Sequence, residues 1–96
     1  MSTIKKLSEQ ELSAKLEDHP YWTIKEDKLF RRLIFPGFVE AFGFMTQVAI
    51  LAEQANHHPE WANVHRTVDI FMTTHEAGGI TERDFALIEK MEKLID

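Results

Sequence analysis

The sequence predicts an α+β fold: one four-stranded antiparallel sheet with three helices packed on one face, in the order α-β-β-α-β-β-α. Three observations lead there. Helix-start signatures stand near both ends of the chain. A long apolar stripe at helical spacing fills the middle. Two pairs of short strand-like runs lie between these helices, and hairpins alternating with helices favour one antiparallel sheet covered on one side. A ferredoxin-like βαββαβ order would need a single strand at each end, which this punctuation does not offer.

The first helix is expected at about 8–18. Ser8 stands three residues before Glu11, a capping box, and Leu7 and Leu12 flank it as a hydrophobic staple. Leu12 and Leu16 give a weak apolar face. His19-Pro20 should end the helix, because the residue before proline avoids the helical region. His19 itself reads as a turn residue. Residues 21–25 and 29–35 follow as strands, with Glu26-Asp27-Lys28 as the hairpin connection. Phe35-Pro36-Gly37 closes the second strand.

The central helix is expected at about 38–56. Phe38, Ala41, Phe42, Phe44, Met45, Val48, Ala49, Leu51, Ala52 and Ala55 fall within about half the helical circumference. Val39 and Ile50 lie outside that arc. They are either scattered surface apolars or part of a second packing surface for a partner helix. Residues 61–65 read as a short strand that includes His65, and 68–73 as a half-buried strand. In the latter, Val68, Ile70 and Met72 alternate with Asp69, Phe71 and Thr73. The last helix is expected at about 81–95. Thr81 and Asp84 form a second capping box, Ile80 is stapled to Phe85, and Ile88 and Met91 continue the stripe.

Length and composition limit what such a domain can do. The 96 residues are read as one domain, 1–96, with a thin core, so oligomerisation is expected to supply further burial. No cysteine is present, which removes disulfides, thiolate zinc sites and cysteine nucleophiles. Eleven basic against sixteen acidic residues give a net charge of −5, unsuited to direct contact with nucleic acid phosphates. No apolar run approaches the roughly 20 residues that span a bilayer. The N-terminal Met1-Ser2-Thr3-Ile4-Lys5-Lys6 lacks the apolar stretch of a signal peptide, so a cytoplasmic location is expected.

Chemistry should reside in the histidines. His57-His58-Pro59 stands where proline ends the central helix, and His75 follows the last strand just before Gly78-Gly79. If that strand returns beside the helix, three imidazoles line one cleft, with Glu53 one helical turn before His57. Imidazoles titrate near neutrality, so one can donate a proton while another accepts one. Removing water across a bond needs both roles at once. Asn56, Glu53, Thr73 and Thr74 could orient a polar heterocycle. Two other readings stay open. The histidines could cap the helix and favour its dipole. Alternatively, they could bind zinc with Glu53 or Asp84, although adjacent histidines are not a strong zinc spacing. No serine nucleophile motif or glycine-rich phosphate loop is present.

The run Glu53-Gln54-Ala55-Asn56-His57-His58-Pro59-Glu60-Trp61, then Thr74-His75-Glu76 and Gly79-Ile80-Thr81-Glu82-Arg83-Asp84, resembles the pterin-4a-carbinolamine dehydratases. The family pattern is an acidic residue, three others, His-His-Pro, an aromatic, a distant histidine and then aspartate. Glu53, His57, His58, Pro59, His75 and Asp84 occupy those positions, and Glu40 to Ala49 resembles the family's central helix. The resemblance covers about residues 7 to 90. The family usually has an aromatic six residues after Pro59, and this chain has His65.

That resemblance implies dehydration of 4a-hydroxytetrahydropterin to quinonoid dihydropterin, on an α+β fold, with no metal or organic cofactor. It implies His57 and His58 as the acid/base pair, with His75 binding the pterin and assisting. It assigns Glu53, Asn56, Thr73, Thr74 and Glu76 to the pterin site, and Asp84 to orienting a histidine or capping the last helix. It also implies a homo-oligomer, dimer or tetramer, and partnership with an aromatic amino-acid hydroxylase. The alternative it implies is a protein-interaction module of the coactivator type, contacting a transcription factor rather than DNA.

Overall fold

The computed structural model describes residues 4–96; residues 1–3, at the head of the stretch read as lacking a signal sequence, lie outside the described residues. Three helices and four strands follow the expected order: α1 Glu9–Leu16, β1 Thr23–Lys25, β2 Lys28–Ile34, α2 Phe38–Ala55, β3 Glu60–Val64, β4 Thr67–Met72 and α3 Glu82–Ile95. A single 3-10 turn, His75–Ala77, lies between β4 and α3. Among the described residues no helix is long and apolar enough to cross a membrane.

Both helix starts form as the side chains dictate. Ser8 accepts from the Glu11 amide, and Glu11 accepts in return from the Ser8 amide. Thr81 and Asp84 do the same for α3. Leu7, Leu12 and Leu16 lean on the core from one side, and the Leu7 amide donates to the Ile80 carbonyl. That bond ties the start of α1 to the lead-in of α3.

The sheet order is β1-β2-β4-β3, antiparallel throughout. Leu29, Val68, Ile70 and Met72 point to the helix-covered face and are buried, with Ala41, Phe44, Val48 and Ala52 of α2 and Phe85, Ile88 and Met91 of α3 above them. On the open face, Phe30 packs on Phe71 with ring centroids 4.8 Å apart, and Arg32 donates to both oxygens of Asp69. Arg31 lies on the covered face instead. Its guanidinium donates to both oxygens of Asp96 at 2.9 Å and sits 4.9 Å from the Tyr21 ring centre. This pins the end of α3 to β2 by a two-pronged bond that a lysine could not make.

Several local expectations are corrected. The β1–β2 connection is a two-residue turn, not three. Glu26 and Asp27 both take positive φ, while Lys28 is already paired with Lys25. Tyr21 and Trp22 belong to the turn before β1, where the Trp22 amide donates to the His19 carbonyl. His65 is not in a strand. It sits at φ 53° in the β3–β4 turn, exposed, with its carbonyl accepting from the Asn63 side chain.

His19 is more than a turn residue. It is buried against Phe85, and its Nδ1 lies 2.9 Å from Glu92, which fastens the α1–β1 turn to α3. Finally, the apolar arc of α2 is not all core. Ala41, Phe44, Val48 and Ala52 are buried, but Phe38 and Phe42 are about half exposed, on the same outer face as Val39 and Ile50. One sheet contact can cover only one side of a helix.

The acidic groups fix how this fold responds to pH. Hydrogen bonds from Arg31 hold the Asp96 carboxyl below the usual carboxylate range, and Arg32 does the same for Asp69. A carboxyl depressed by folding stabilises the fold above its unfolded value, about 3.9, and that contribution is lost as pH falls through its folded value. Urea midpoints should therefore fall steeply below about pH 4. In Asp96→Asn the decline should be shallower. An identical decline in both proteins would remove Asp96 from the account.

Candidate active site

The site is assembled at one end of the sheet. That end is where α2 stops, β3 begins, β4 ends and the β1–β2 turn stands. The β3–β4 turn carrying His65 is at the other end, so the departure at His65 does not reach the site.

The stop of α2 is built from Asn56. It adopts the left-handed conformation, φ 51° and ψ 42°, which asparagine tolerates better than most residues. The Asn56 and His57 amides donate back to Glu53 and Ala52. Pro59 then forbids further helix, and the two imidazoles are left on a short turn entering β3.

His57 is turned inward, and its Nε2 lies 2.6 Å from Oδ1 of Asp84. Asp84 has no exposed surface. A carboxylate so buried needs donors to replace water. Besides His57, its Oδ2 accepts from the Thr74 hydroxyl at 2.9 Å and from the Thr81 amide at 2.8 Å. The Thr74 and Thr81 hydroxyls are themselves 2.7 Å apart. One aspartate therefore caps α3 and holds a histidine at the end of α2.

His58 is exposed, with its Nε2 2.9 Å from Oε1 of Glu53. His75 begins the 3-10 turn after β4 and is also exposed, with Nε2 2.6 Å from Oε2 of Glu60. Oε1 of the same Glu60 accepts from the Lys28 ammonium at 2.6 Å. Thus each of the three imidazoles has a carboxylate on its Nε2.

A cleft of about 220 Å³ opens among Asn56, His57, His58, Thr73, His75 and Glu76. A second, of about 230 Å³, meets it at Thr73 and His75 and runs under Glu26, Asp27 and Lys28. A larger hollow of about 310 Å³ beside Lys6, Leu12, Ile24 and Ile80 contains no imidazole, so size alone does not mark the site. Among the described residues no three histidine, aspartate or glutamate side chains gather as a metal-binding group.

The site residues named from sequence thus divide. His57, His58, His75, Asn56, Thr73 and Glu76 share the cleft. Glu53 reaches it through His58. Thr74 and Asp84 do not line it; both are buried behind His57, with Asp84 in contact with the His57 ring and with the Thr81 amide at the start of α3. Thr74 follows β4 as the chain turns, which directs its hydroxyl into the core. Glu60 and Lys28 were missed. The acidic residue directly after His-His-Pro was the only signal for Glu60. Nothing local marks Lys28, since strand pairing alone brings it near.

Fold and site together define a small α+β protein in which three imidazoles share one cleft. The sequence profile of the family described as pterin 4 alpha carbinolamine dehydratase matches residues 5–94, and the chain belongs to that family. A relative from Burkholderia orbicola strain MC0-3 is 55% identical over 88% of this chain and 84% of its own length. One from Prochlorococcus marinus strain MIT 9303 is 50% identical over 92% of both chains. One from Solibacter usitatus strain Ellin6076 is 49% identical over 93% of this chain and 94% of its own. All three are named after pterin-4-alpha-carbinolamine dehydratase. A crystal structure from Brucella melitensis, described as a transcriptional coactivator/pterin dehydratase, matches with a TM-score of 0.92. It is 35% identical, and the match covers 96% of this chain and all of that one.

The buried network behind His57 should be measurable as stability. Thr74→Val keeps the shape but removes the hydroxyl that Asp84 and Thr81 use. It should cost about 1–3 kcal/mol in urea denaturation. A loss below about 0.5 kcal/mol, the range of a neutral surface change, would show that the hydroxyl is not holding the network.

Proposed function

We propose that this chain dehydrates 4a-hydroxytetrahydropterin to quinonoid dihydropterin by histidine acid/base catalysis, without a metal or organic cofactor. One observation carries the reading: three imidazoles from two separate segments share one cleft in a chain of this family.

The chemistry follows from what must move. The hydroxyl leaves a ring carbon as water once it has received a proton. The adjacent ring nitrogen loses its proton, and its electron pair forms the new carbon–nitrogen double bond. His57 and His58 supply the acid and the base, and His75 binds the pterin and assists. Asp84 accepts from the Nε2 side of His57, which leaves Nδ1 for exchange with the ligand. Asn56, Thr73 and Glu76 offer donors and acceptors to the polar edge of a pterin, and Glu53 acts through His58. The in vivo task is recycling tetrahydropterin in the cytoplasm beside an aromatic amino-acid hydroxylase.

The outer face of α2 supports a homo-oligomer. Val39 is 78% exposed, Phe38 and Phe42 near it are about half exposed, and so is Ile50 three turns further along α2, an apolar strip along the helix that a second copy would cover. The same strip favours the second reading, a protein-interaction module of the coactivator type, a role named in the description of the Brucella melitensis structure.

Decay of chemically generated 4a-hydroxytetrahydropterin tests the first reading. The protein should accelerate it, with or without chelator. His57→Ala, His58→Ala and His75→Ala should each lower kcat/KM, by up to the 10²–10⁴-fold typical, to order of magnitude, of lost acid/base groups. No acceleration by folded protein would sink it. Light scattering at micromolar concentration should give a dimer or tetramer, and Val39→Glu should shift it toward the monomer. A monomeric mass for the unaltered chain would exclude the oligomer.

A further inference from the structure

Glu60 uses both of its oxygens, each on a different element. Oε1 takes the Lys28 ammonium from the start of β2, and Oε2 takes the His75 ring from the 3-10 turn after β4, both at 2.6 Å. Its own backbone opens β3. The side chain therefore ties three segments at the mouth of the cleft. His75 needs such a tie. It is the most exposed of the three cleft histidines, with 76% of its side chain open to solvent, and it stands on a single turn of 3-10 helix. No core packing fixes its rotamer.

Lys28 and then His75 hold the Glu60 carboxyl below the usual carboxylate range, so it is an acceptor at neutral pH. An acceptor opposite Nε2 requires the ring to donate there. Nδ1 is then the nitrogen left to meet a ligand. The first two histidines of the cleft have equivalent partners in Asp84 and Glu53, one buried and one exposed.

We propose that Glu60 is the positioning residue for His75, itself held by Lys28, and that it fixes the ring's orientation and the nitrogen it presents to the cleft. The catalytic part of this inference rests on the dehydratase reading. The pairing itself does not.

The test uses the full chain. Glu60→Gln should lower kcat/KM for 4a-hydroxytetrahydropterin about tenfold, mostly in kcat, near the lower end of what carboxylates orienting functional imidazoles contribute. Glu60→Asp, which keeps the charge, should recover part of the loss. In the His75→Ala background, Glu60→Gln should add nothing, because its effect passes through the ring. Nitrogen NMR of the histidine rings supplies an arm independent of turnover: the His75 Nε2 resonance should move in Glu60→Gln while those of His57 and His58 stay. Unchanged kcat in Glu60→Gln, an additive loss with His75→Ala, or an unmoved His75 resonance would each overturn the proposal. If the unaltered chain lacks dehydratase activity, the functional reading falls and the NMR arm still decides the pairing. Thermal melts establish that each variant is folded.

Discussion

The contact between His57 and Asp84 is the point on which the rest of this molecule turns. A carboxylate with no exposed surface is tolerable only when donors surround it, and here those donors come from three elements. The end of α2 gives the His57 ring, the segment after β4 gives the Thr74 hydroxyl, and the start of α3 gives the Thr81 amide. Loss of any one donor would leave charge in the core with too few partners. The requirement that stabilises the fold also fixes where one cleft imidazole stands.

The other two histidines are held differently. Glu53 is exposed and Glu60 half-buried, their imidazole partners are both exposed, and such surface pairs contribute little to stability. Their value is geometric rather than energetic. The site thus joins one buried histidine to two exposed ones.

Much of the fold was legible in the sequence because its signals are local. Ser8 with Glu11 and Thr81 with Asp84 start helices within four residues of themselves. Pro59 stops one. Alternation in β4 is read from its own side chains. Errors arose where an outcome depended on a neighbour. Phe38 and Phe42 are as apolar as Phe44, yet only Phe44 faces the sheet. Nothing within α2 states which half of a broad stripe the sheet will take. Glu26 and Asp27 occupy a two-residue turn with positive φ at both, where glycine or asparagine would have signalled it.

The sequence by itself determined the order of elements, the family and the three histidines that define the cleft, because caps, prolines, periodicity and motif spacing act over short range. Tertiary structure alone decided the partners: Asp84 for His57, Glu60 and Lys28 for His75, Glu92 for His19 and Asp96 for Arg31. Apart from Glu60 with His75, these pairs are separated by at least 27 residues, and they meet only because two hairpins and two helices bring their ends together. A hydrogen bond needs its donor and acceptor within about 3 Å. No spacing along the chain specifies that distance until the sheet has set the register.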